Sequence, residues 1–126
     1  MLNNAGLNAT KSVLVVSQSA TTTALASSST TYVDVRNYEG ELEFQFNPGA
    51  ITGSLTPDIQ DATDAAGTGT ASVAALEGAY TALVANTGRN YTIPAKATRG
   101  FIRVINTLVT GPALIGVTLI ARQKTV

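Results

Sequence analysis

Hydrophobic and polar positions alternate along this chain in short runs, and turn residues separate the runs. The clearest run is Glu41-Leu42-Glu43-Phe44-Gln45-Phe46, with Leu42, Phe44 and Phe46 on one face and Glu41, Glu43 and Gln45 on the other. Successive side chains of a strand point to opposite faces, so this is the pattern of a half-buried strand. Thr31–Arg36 alternates too, setting Val33 and Val35 against Tyr32, Asp34 and Arg36, and Asn37–Gly40 supplies a turn. Upstream, Ser12–Ser17 is a β-branched run that reads as the first strand. The Ser/Thr/Ala tract Ser19–Thr31, with Leu25 as its one sizeable apolar residue, reads as a loop or a weak edge strand.

Asn47-Pro48-Gly49 carries strong turn chemistry and is expected to end the 41–46 strand. Ser54–Gln60 alternates again through Leu55 and Ile59. Its Pro57 cannot donate to a ladder, which predicts an edge strand or a late start. Asp61–Thr70 is a polar loop, and Ser72–Glu77 reads as one helical turn or as more loop leading to Tyr80–Val84. Arg89–Ile93 is a short strand closed by Pro94. In Arg99–Ile105 the residues Arg99, Phe101, Arg103 and Ile105 share one face, and Ile102 and Val104 the other. Thr110-Gly111-Pro112 is the last turn. Ala113–Ala121 is apolar on both faces apart from Thr118, as expected of a central strand covered on both sides.

Seven or eight short strands at near-regular spacing predict an all-β fold, a small antiparallel β-sandwich or jelly roll. Residues 1–10 lack periodicity and read as an N-terminal arm, with Leu2 and Leu7 as isolated apolar anchors, ahead of a single domain over residues 11–126. The expected core is Leu42, Phe44, Phe46, Ile59, Ile102, Val104, Val117 and Leu119. A chain of 126 residues buries roughly two-thirds of its unfolded surface and needs no staple.

Composition narrows the chemistry. With no histidine, the chain lacks the usual general base near neutral pH; with no cysteine, it lacks a thiol nucleophile, a disulfide and a thiolate metal ligand. Glu41 and Glu43 share a face as a glycosidase pair might, but alternating acid is the ordinary wet face of a strand. No glycine-rich phosphate loop follows a strand. The expectation is a non-enzyme without a cofactor. Eight basic side chains balance eight acidic ones, so nothing draws the chain toward nucleic acid or an anionic membrane. No apolar stretch approaches the roughly 20 residues a membrane helix needs. No basic region followed by an apolar run opens the chain, so no secretory leader is expected.

Two residue sets stand out as sites. Asp58, Asp61 and Asp64, followed by Gly67 and Gly69, form a weak calcium candidate, because hard cations want several oxygens from a glycine-kinked loop. Their spacing fits no EF-hand, and solvated loop carboxylates are the simpler reading, so no metal is expected. Tyr32, Arg36, Arg99 and Arg103 suit a protein interface, where Tyr and Arg are favoured. With Leu2 and Leu7 they are the candidate partner-binding residues.

From Tyr38-Glu39-Gly40, through Leu55-Thr56-Pro57-Asp58-Ile59-Gln60-Asp61-Ala62-Thr63-Asp64, to Arg99-Gly100-Phe101-Ile102-Arg103-Val104-Ile105 and the tail Ala121-Arg122-Gln123-Lys124, the chain resembles small virion proteins of tailed bacteriophages. The resemblance spans residues 32–124. It departs in lacking the tryptophan that often follows the Asp-rich loop, Tyr80 being the nearest aromatic. The resemblance implies a capsid decoration, or cement, protein. Such a protein is made in the bacterial host cytoplasm and sits on the outer capsid surface, where it clamps adjacent major capsid protein subunits. It would act as a homo-oligomer, a trimer first and a dimer second. Other virion parts (a head fibre base or tail protein) and a carbohydrate-binding β-sandwich are the alternatives.

Overall fold

A computed structural model of the protein describes residues 10–20, 24–26 and 32–124. Nine strand segments run through them: β1 (Thr10–Ala20), β2 (Ala24–Ala26), β3 (Val33–Asp34), β4 (Tyr38–Ile51), β5 (Ser54–Ala62), β6 (Ala71–Ser72), β7 (Arg89–Pro94), β8 (Phe101–Val109) and β9 (Ala113–Gln123). A single 3-10 turn, Ala95–Ala97, is the only helical element among the described residues. The strands form two antiparallel sheets, ordered β1-β9-β4-β7 and β2-β8-β5-β6, with β3 also beside β8. The expected small all-β sandwich is what the chain forms.

The pairing is more specific than a sandwich. With the two-residue β3 set aside, the first strand pairs with the last, the second with the next to last, β4 with β7 and β5 with β6. Nested antiparallel pairs wound into two four-stranded layers are a jelly roll.

Alternation places the core as expected. Leu42, Phe44, Phe46, Ile59, Ile102, Val104, Val117 and Leu119 are all 0% exposed. In one layer Phe44 of β4 lies between Tyr91 of β7 and Leu119 of β9, with Leu42 beside Ile93. In the other, Leu55 pairs with Leu108 and Ile59 with Val104. The Tyr91 ring meets Phe46 edge-on at 5.8 Å and Tyr80 at 4.9 Å, so the loop before β7 is tied to the core.

Two local expectations are corrected and one left open is resolved. Asn47-Pro48-Gly49 does not end a strand: β4 runs 14 residues to Ile51. Pro48 lies where the ladder to β9 shifts register, between Pro48 and Ile51, and a bulge tolerates a missing N–H. The chain turns instead at Thr52-Gly53, where Gly53 has φ 81°. A Cβ on Gly53 would lie 2.0 Å from the Val109 carbonyl oxygen, so only glycine fits. Second, of the two readings of Ser72–Glu77, helical turn or loop, the structure has the loop. It leaves β6 pinned by Leu76 N–H on the Thr92 carbonyl. Third, β9 is central, between β1 and β4, but is covered on one face only. Ala113, Ile115, Val117, Leu119 and Ala121 face inward, while Leu114 is 51% exposed and Ile120 half-buried. A two-layer sandwich offers each strand one inner face, so the second apolar face of β9 lies outward.

Pro57 was expected to mark an edge strand or a late start, but β5 begins at Ser54 and lies between β8 and β6, which pairs only its Gln60 and Asp61. The Leu55 and Ile59 carbonyls accept from Leu83 and Val73 N–H, so the odd-numbered backbone groups of β5 point away from β8. Pro57 sits between them on that open side, where its missing donor costs the ladder nothing. The Ser19–Thr31 tract contains β2, an edge strand three residues long. Among the described residues of the Thr31–Arg36 run, Tyr32–Arg36, only Val33–Asp34 is strand, and Tyr32 and Val35 are both buried.

Candidate partner-binding face

Six residues were expected to mark an interface, and the structure brings the four that it describes, Tyr32, Arg36, Arg99 and Arg103, to one end of the sheet built on β8. Ile102 and Val104 of β8 enter the core, which turns Phe101 and Arg103 to the outer surface. β3 runs beside this segment, with Val33 opposite Ile102 and Asp34 opposite Phe101. The Arg36 guanidinium then lies 4.8 Å from the Phe101 ring centroid, and that of Arg103 lies 5.0 Å from Tyr32. Two cation–π stacks stand side by side.

A polar row continues from Arg103 across the sheet. Its Nε donates to Gln60 Oε1 at 3.0 Å, Gln60 Nε2 donates to Asp58 Oδ2 at 2.8 Å, and Asp58 Oδ1 accepts from the Ser72 hydroxyl. Gln60 and Ser72 were not anticipated as members of this face. The available signal was phase: Asp58 and Gln60 share the outward alternation of β5. At its other end Tyr32 is anchored from below. The Thr70 hydroxyl donates to the Gly67 carbonyl at 2.7 Å, which leaves Thr70 Oγ1 to accept the Tyr32 hydroxyl proton at 2.5 Å. Gly67 has φ 89°, and a Cβ there would press 2.6 Å from the Tyr32 ring, so the loop must carry glycine beneath the tyrosine.

Arg99 departs from its expected alignment with Phe101 and Arg103. It precedes β8 and turns onto Asp61, whose carboxylate sits inward at the end of β5 with only 6% of its side chain exposed. Arg99 Nε and Nη2 both reach Asp61 Oδ1, at 3.2 and 2.6 Å, and the Arg99 backbone N–H donates to Oδ2 at 3.0 Å. A buried carboxylate needs such company.

The three aspartates considered for calcium are held separately. Asp58 faces out of β5 and Asp61 faces in. Asp64 folds its own loop, accepting from the Thr68 hydroxyl at 2.6 Å and from the backbone N–H groups of Ala66 and Thr68 at 3.0 Å. These bonds, the Thr68 hydroxyl first, hold the Asp64 carboxyl below its ordinary range. Among the described residues no group of three or more His, Cys, Asp or Glu side chains is arranged to hold a metal ion. Leu2 and Leu7 lie outside the described residues.

With this geometry in place, comparison with solved structures yields a likeness of fold. A chain of the T13 IBDV viral particle matches 90% of this chain at 11% identity and a TM-score of 0.54, and the match covers 31% of the viral chain. A chain from the infectious bursal disease virus Gx strain follows at 14% identity, 90% and 32% coverage and a TM-score of 0.46. The CBM22-1–GH10 modules of a Clostridium thermocellum endo-1,4-β-D-xylanase, complexed with xylohexaose, match at 12% identity, 94% and 27% coverage and 0.45. The chain thus spans about a third of the length of the viral-particle chains it matches. No family model matches the chain, and no curated protein matches it in sequence. At these identities the likeness concerns architecture alone.

Proposed function

We propose that this chain is a virion structural protein, not an enzyme: a decoration protein that attaches to the outer surface of a phage head and clamps neighbouring major capsid subunits. The observation that carries this reading is the jelly-roll wind, which aligns over 90% of the chain with a chain of the T13 IBDV viral particle. The lack of histidine and cysteine supports a binding role. So does a rigid outer face of stacked arginines and aromatics, a surface type suited to protein contacts. The mechanism is mass action: a protein that binds the assembled lattice and not its loosened form stabilises the lattice by its binding free energy. Attachment as a homo-oligomer, a trimer by preference, adds avidity.

The test is to add purified protein to heads stripped of their decoration and measure occupancy and heat resistance. Bound protein and hardened heads are expected. Arg103→Ala should weaken attachment while leaving the domain folded. Heads that neither take up the protein nor gain heat resistance overturn the reading in favour of a fibre or tail role.

A further inference from the structure

A cleft of about 400 Å³ opens at the end of the sandwich where β3 turns into β4, between the 3-10 turn, Gly100 and the end of β9. Buried Val35 and Tyr38 floor it. Its rim is unusual for a chain with eight charges of each sign: four of the eight cations, Arg36, Lys96, Arg99 and Lys124, line it, against one carboxylate, Glu39. Glu39 is in turn paired with Arg122 at 3.7 Å, outside the lining.

The two arginines are pre-set. Arg36 grips Asp34 with Nε and Nη2, at 3.0 and 2.8 Å, and its guanidinium carbon lies over the Phe101 ring, 4.8 Å from the centroid. Arg99 is held by Asp61, and its Nη2 also donates to the Gly69 carbonyl at 2.7 Å. In both, Nη1 donates to no described residue. Lys96 and Lys124 have no carboxylate within ion-pair distance among the described residues, so Asp34 and Asp61 offset the arginines while the two ammonium groups stay uncompensated. Fixed guanidinium edges lose little entropy on accepting an oxyanion, and two lysines at the rim supply the attraction.

We propose that this cleft is an anion site that docks an acidic segment of a partner protein, two neighbouring carboxylates spanning the arginine edges and the lysine rim. A neutral chain lacks the extended positive field that holds a nucleic-acid backbone, and the surplus here is local, matched to one or two carboxylates. The site would serve an acidic partner whether or not the chain decorates a capsid, so it stands or falls apart from that reading.

The test follows backbone amide shifts of the full-length chain by NMR while hexaglutamate is added at low salt. Hexaglutamine and inorganic phosphate are run in parallel. Shifts confined to Arg36, Lys96, Gly100 and Lys124, saturating with hexaglutamate, weakening with salt and absent with hexaglutamine, are expected. Lys96→Gln with Lys124→Gln should weaken binding by about tenfold, a loss of about 1.4 kcal/mol. Both side chains are exposed, so the thermal midpoint should be unchanged. Three results overturn the proposal: no saturating shifts with hexaglutamate, equal shifts with hexaglutamine, or undiminished binding by the double variant. Phosphate that saturates the same amides more tightly than hexaglutamate overturns the peptide assignment.

Discussion

Asn106 sits on β8 facing the core, 0% exposed, and neither its Oδ1 nor its Nδ2 has a hydrogen-bond partner among the described residues. Its register neighbours are Pro57 on one side and Leu25 on the other, and the flanking inward residues of β8 are Val104 and Leu108. A carboxamide buried without partners carries a desolvation cost of about 1–3 kcal/mol. Leucine has nearly the same shape and no polar atom to strand. Asn106→Leu should therefore stabilise the fold by about 1–3 kcal/mol. For a chain of 126 residues that raises the thermal midpoint by about 3–6 °C per kcal/mol. Asn106→Asp, which buries a charge in the same place, should destabilise by about 3 kcal/mol or more at neutral pH. Urea unfolding read by circular dichroism, with equal slopes for the parent and both variants, gives the free energies directly. A loss of about 1 kcal/mol or more in Asn106→Leu refutes the reasoning, because it means the amide is paired in the folded protein.

Four further outcomes are expected. Phe44→Ala opens a cavity between Tyr91 and Leu119 and should cost about 3–5 kcal/mol in the same unfolding assay; a cost under 1 would place Phe44 outside the packed core. Gly53→Ala forces a Cβ against the Val109 carbonyl at the turn between the sheets, and should lower the thermal midpoint far more than Gly78→Ala, where a Cβ meets nothing within 4 Å. Acid should unfold the protein from the carboxylate side. Hydrogen bonding to Arg36 lowers the Asp34 pKa and the Thr68 bonds lower that of Asp64; in Glu77 desolvation pushes upward, but the bonds from Thr92 and its other partners together outweigh it and the pKa is lowered. Groups with depressed folded pKa values contribute stability that is present above their unfolded values and lost as pH falls through the folded ones. The midpoint should hold from pH 7 to about 5 and fall below about 4, and a midpoint that climbs on acidification contradicts this. Finally, because Asp58, Asp61 and Asp64 are each committed to protein donors, chelator or added calcium should leave the melting curve in place; a shift of many degrees would restore the metal reading.

The sequence by itself determined what depends on short range. Alternation over a few residues decides which side chains of a strand can be buried, so the inward faces of β4, β5 and β8 were legible before any pairing was known. It also determined the missing chemistry, since no fold can supply an imidazole or thiol that the chain lacks. What only the tertiary structure decided is everything set by contacts far apart in the chain. The nesting of β1 with β9 and β2 with β8 leaves no local mark, and Pro48 reads as a strand end until β4 is seen to bulge there and go on pairing with β9. Ala113–Ala121 is apolar on both sides in sequence, but only the number of layers says that one of those sides faces out. Arg99 meets Asp61 across 38 residues and Arg103 meets Gln60 across 43, and the cationic cleft gathers side chains from the β3–β4 turn, the 3-10 turn and the end of β9. Local period fixes the face a residue occupies; which distant residue shares that face depends on how the whole chain winds.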